Sequence, residues 1–114
     1  MAEISTAAYT DLRNYIQTNW KYIELQDGSG TPVVRLSPAD QKVTWTHTIG
    51  ASVLKLQIII KGSDITAPKT IAKSAIFNVA TGGIAYSVES FTAFTLETAE
   101  DELTVIHSIQ VPKV

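Results

Sequence analysis

Cysteine is absent from these 114 residues, which removes disulfide staples and thiolate metal sites and leaves the redox compartment open. No apolar run approaches the ~20 residues of a membrane-spanning helix. The opening residues, MAEISTAAYTDLR, lack a basic start followed by an apolar core, so no secretory signal is expected there. Charge is sparse and nearly balanced. The net value of −2 provides no electrostatic footprint for nucleic acid or for an anionic membrane, and partners of those two kinds are not expected. No internal repeat, low-complexity tract or linker interrupts the chain.

What the sequence does contain is enough apolar material, 45% of residues, for one domain of this length to bury a core without staples. The plan is plainest from Val43 to Lys61. Val43, Trp45, His47 and Ile49 alternate with threonines, Gly50-Ala51-Ser52 breaks the pattern, and Leu54, Leu56, Ile58 and Ile60 resume it against Lys55, Gln57 and Lys61. Two period-two runs around a short glycine-containing break predict an antiparallel hairpin, placed centrally in a sheet.

Upstream, Ala8, Leu12, Tyr15 and Ile16 recur at helical spacing behind Ser5 or Thr6 as an N-cap, predicting a helix over residues 5–19. Tyr22–Leu25 and Val33–Leu36 read as partner strands around the loop Asp27-Gly28-Ser29-Gly30-Thr31-Pro32. That loop lacks the Gly-Lys-Ser/Thr ending of a phosphate-binding loop, and no helical pattern follows it, so it reads as a flexible hairpin turn. Ser37–Asp40 suggests one short helical turn. A loop from Gly62 to Pro68 precedes three further strands, at Ile71–Val79, within Ser87–Glu97, and at Leu103–Val111. The expected fold is mainly β: an antiparallel β-sandwich or partly closed barrel of about seven strands with one N-terminal helix.

Three strands break strict alternation in the same way, with Ile59 between Ile58 and Ile60, Ile76 beside Phe77, and Ile106 beside His107. If those strands are neighbours, Ile59, Ile76 and Ile106 form a second apolar strip. The N-terminal helix would cover it with Leu12 and Ile16, or a second subunit would.

The residues with reactive potential do not assemble into a motif. His47 and His107 have no companion at metal-ligand spacing and read as core or interface histidines. Glu97, Glu100, Asp101 and Glu102 lack the alternating oxygen ligands and fixed glycine of a calcium loop and read as a solvated turn. No nucleophile elbow or dinucleotide-binding glycine pattern is present. The sequence therefore predicts no catalytic residues, no metal ligands, no cofactor and no enzyme.

A resemblance is carried by the C-terminal third. Lys73-Ser74-Ala75-Ile76-Phe77-Asn78-Val79-Ala80-Thr81-Gly82-Gly83 is followed by Glu89-Ser90-Phe91, Phe94-Thr95-Leu96, Asp101-Glu102-Leu103-Thr104-Val105 and Ile109-Gln110-Val111-Pro112. This succession resembles the small structural proteins of tailed-bacteriophage virions, and by size their head decoration or cement proteins. The resemblance implies a virion protein assembled in the host cytoplasm, a homo-oligomer with a trimer as first expectation, and the phage major capsid protein as partner. Its alternatives are a tail, neck or fibre component. A host-surface or carbohydrate-binding β-sandwich module is the rival from another class, with Trp20, Tyr22 or Tyr86 as its aromatic platform. Candidate contacts are Ile59, Ile76 and Ile106 for self-association, and for the capsid the first few residues and the Asp27–Thr31 loop, with Asp27, Gly28, Ser29 and Gly30.

Overall fold

Alternation in the strand at Val53–Lys61 sets the architecture of the computed structural model, which describes residues 2–37 and 39–111. After helix α1 (Thr6–Asn19) come β1 (Tyr22–Gln26), β2 (Pro32–Leu36), β3 (Val43–Trp45) and β4 (Val53–Lys61). A one-turn helix, α2 (Gly62–Ile65), leads to β5 (Lys69–Phe77), β6 (Ser87–Leu96) and β7 (Glu102–Gln110). In β4, Leu54, Leu56, Ile58 and Ile60 are buried, while the residues between them are exposed or half-buried. One face of the strand therefore belongs to a core, as its period-two pattern requires.

The strands form two antiparallel sheets, one ordered β2-β1-β5-β6 and the other β3-β4-β7. Ile23, Leu25, Ile71, Ile76 and Leu96 of the first sheet meet Val43, Leu56, Ile58, Ile60 and Val105 of the second in one apolar cluster. The sheets do not close on each other. The expected hairpin exists, with Trp45 opposite Leu56 and Val43 opposite Ile58, and β4 is central in its sheet. Its first arm is shorter than predicted. The chain leaves the sheet after Trp45, and Ile49 stands 99% exposed at the tip.

The helix begins where its cap predicts, the Ser5 hydroxyl accepting the Ala8 amide at 3.2 Å. It buries Arg13 and Ile16 but leaves Leu12 and Tyr15 exposed. The long dimension of the molecule is 52 Å against 26 and 25 Å across. Its radius of gyration, 15.0 Å, exceeds the value of about 13 Å for a compact chain of this size.

One loop reading changes, and another falls partly outside the described residues. Gly62 opens α2 within the expected loop because only a residue without Cβ fits there: an added Cβ would lie 1.9 Å from the Thr98 carbonyl oxygen. The expected helical turn at Ser37–Asp40 includes Pro38, which lies outside the described residues. The Asp40 amide donates to the Ser37 carbonyl at 2.9 Å.

Candidate interaction surfaces

The apolar strip expected of three isoleucines exists only in part. Gln57 pairs with Ile106 and Ile59 with Thr104, so Ile59 and Ile106 are diagonal neighbours across β4 and β7. Both point away from the core, 37% and 42% exposed. Ile76 does not join them. It lies opposite Ile23 in the other sheet and is fully buried in the core. The cause is a β-bulge between Ile71 and Lys73, which shifts the phase of β5 so that Ser74 and Ile76 face inward. Nor does the helix cover the strip, since Ile59 and Ile106 stay exposed and Leu12 faces outward.

The outer face of the larger sheet carries a buried ion pair that the sequence reading passed over. In the β1–β2 register Glu24 lies opposite Arg35. Arg35 donates to the Glu24 carboxylate from Nε at 2.8 Å, and its Nη2 lies 2.8 Å from the same oxygen. The Gln26 amide donates to the other Glu24 oxygen at 2.8 Å. Arg35 also lies 3.5 Å over the ring centre of Phe77 and donates to the carbonyls of Val79 and Gly82. One guanidinium thus fastens the β5–β6 connection to the sheet. That connection presents exposed Val79 and Ile84, followed by exposed Val88 at the start of β6. The hairpin pairing of two short strands, each with a single charge of opposite sign, was the signal available in the sequence.

The Asp27–Gly30 loop is held by its own hydrogen bonds. The Asp27 carboxylate accepts from the Ser29 amide and hydroxyl and from the Thr31 amide, each at 2.9 Å. These bonds, that to the Thr31 amide first, hold the Asp27 carboxyl below its ordinary range. Gly28 and Ser29 are exposed at its tip. The loop is the expected hairpin turn, shaped by the hydrogen bonds of the Asp27 side chain.

The two histidines occupy unlike sites. His107 is fully buried, its Nδ1 2.7 Å from the Ser74 hydroxyl on β5 and its Nε2 2.8 Å from that of Ser87 on β6. A neutral imidazole donates to one serine and accepts from the other, so the ring bonds β7 to the opposite sheet. Burial lowers its pKa; the Glu89 carboxylate, which accepts the Ser108 amide, and a Ser74 backbone hydrogen bond oppose that shift. Because the folded pKa lies below the unfolded value near ~6.5, the unfolded chain binds more protons between the two. Stability is therefore expected to fall as pH drops below about 6.5. Urea midpoints at pH 7.5 and pH 5 check this. His107→Gln should be less stable at the higher pH but much flatter between the two, and an unchanged slope would assign the effect elsewhere.

His47 sits in the loop after β3, accepting the Lys55 amide on Nδ1 at 3.1 Å and packing edge-on against Trp45 at 5.6 Å. Trp45 is half-buried and not fully in the core as its position in the pattern implied. It and His47 form one wall of a cleft of about 760 Å³, and Arg13, Gln17 and Lys21 come from the α1 side. Trp20 and Tyr86 pack against each other at 5.1 Å near the end of that helix. Among the described residues no group of three or more His, Asp and Glu side chains is placed to hold a metal ion.

Comparison with known proteins gives no match, whether to protein-family models, to curated sequences or to solved structures.

Proposed function

We propose that this chain is a non-enzymatic structural protein of a tailed-phage virion, most specifically a capsid decoration or cement protein that self-associates and seats on the head lattice. The observation that carries the reading is the apolar surface left on the outer faces of both sheets. Ile59 and Ile106 stand on one, and Val88 stands on the other with Val79 and Ile84 in the adjoining connection. Scattered exposed apolar residues need no explanation, but clustered ones on a rigid sheet are what a protein interface uses. A repeated lattice then adds avidity without any reactive group. The sequence resemblance supplies the virion context, a trimer is the proposed oligomer, and the pre-shaped Asp27–Gly30 turn is a second contact.

The test mixes purified protein with undecorated heads and counts bound copies. Saturation at a fixed ratio to the capsid subunit is the expected result, with Ile106→Lys weakening binding at least ~tenfold. Binding to tails or host cells and not to heads would replace this reading with one of its alternatives.

A further inference from the structure

The cleft beside α1 has a one-sided charge. Arg13 and Lys21 line it, and no carboxylate does. Arg13 is only 8% exposed, donating to the Val111 carbonyl and the Thr10 hydroxyl. Among the described residues no carboxylate lies within ion-pair distance of it. A nearly buried guanidinium is ordinarily matched by an anion. In a chain whose net charge is −2, this opening is the exception and selects an acidic occupant.

The chain carries such a segment at its other end. Along the β4–β7 pair, Val53 lies opposite Gln110 near the cleft and Lys61 opposite Glu102 at the far end. Eight residue steps put the two roughly 27 Å apart. Beyond Glu102 lies the β6–β7 loop, with Glu97, Glu100 and Glu102 exposed. Asp101 does not add freely to this group. Its carboxylate accepts the amides of Glu97 and Thr98 at 2.8 and 3.1 Å and holds the loop in shape. The Gly62 amide, which donates to the Asp101 carbonyl at 2.8 Å, fastens the loop to α2. A loop already in shape loses little entropy on docking.

We propose that the cleft formed by α1 and the β3–β4 loop receives the acidic β6–β7 loop of a second copy, joining copies head to tail. Lys21 and Arg13 take the carboxylates of Glu100 and its neighbours, and Trp45 supplies an apolar wall. Such a contact is heterologous, since unlike ends meet, and it closes only as a ring; three copies would be the smallest ring consistent with the proposed trimer. The inference rests on the assembly reading above but is tested apart from it, in solution without heads.

Lys21→Glu and Glu100→Lys, both at exposed positions, are compared with wild type by light scattering coupled to size exclusion. Wild type is expected to associate at tens of micromolar in low salt and to weaken as salt screens the contact. Each single reversal is expected to raise the dissociation constant at least ~tenfold. Both reversals in one chain should associate again, since every contact of a three-membered ring is then complementary, whereas a mixture of the two single variants leaves one mismatched contact in such a ring. Monomeric wild type, association indifferent to either reversal, or association abolished only by Ile106→Lys would overturn the proposal. Urea midpoints of each variant separate a lost contact from a lost fold. Failure to bind heads by a protein that still associates in this pattern would defeat the decoration reading and leave the docking intact.

Discussion

Replacing Arg35 by methionine is expected to destabilise the fold by roughly 3–5 kcal/mol, because it strands a buried carboxylate. The Glu24 and Arg35 side chains are only 5% and 12% exposed, so solvent cannot take over the missing half of the pair. The guanidinium also caps the Phe77 ring and holds two carbonyls of the β5–β6 connection. Its loss should therefore loosen the segment that presents Val79 and Ile84, coupling stability to an interaction surface. Converting both partners to apolar residues should recover most of the loss, since two well-packed apolar groups replace a buried pair at little net cost. Urea unfolding of the two single variants and the double variant gives the coupling directly. If the double variant lost the sum of the two single losses, the pair would not be the reason.

The second large effect belongs to the core. Leu56 is fully buried, opposite Trp45 on one side and His107 on the other, and shares the cluster between the sheets. Leu56→Ala is expected to cost ~2–5 kcal/mol through lost burial and the cavity left behind. That is a large part of the ~5–15 kcal/mol that holds a typical domain folded. Its neighbour Lys55 points outward and is exposed. Its backbone amide bonds His47, and that bond survives truncation of the side chain. Lys55→Ala should therefore stay within ~0.5 kcal/mol. Similar losses at the two positions in urea melts would mean that β4 does not present its leucines and isoleucines to the core.

Local patterning alone determined a helix start at Ser5 or Thr6, the alternation of β4, a division into about seven strands and the mainly β class. Each depends on residues a few positions apart, where side-chain period and capping chemistry act directly. Phase was a different matter in β5. Ala75, Ile76 and Phe77 are all buried, and the bulge before Lys73 resets which of them faces inward. Hydrophobicity cannot phase a strand that is covered on both faces. Only the packing of Ile76 against Ile23, and of Arg35 over Phe77, decided it.

The candidate surfaces divide along the same line. Ile59 and Ile106 were legible as out-of-phase isoleucines, but their adjacency required the β4–β7 register. The Ser74–His107–Ser87 bridge and the cleft between α1 and the β3–β4 loop join residues from distant parts of the chain, and the Glu24–Arg35 pair, though within one hairpin, is completed by Phe77 and by the Val79 and Gly82 carbonyls. Burial turns two unremarkable charges into a strong pair and one histidine into a pH-sensitive bond between sheets. Because burial is a property of the assembled sheets, sequence spacing carried no trace of it.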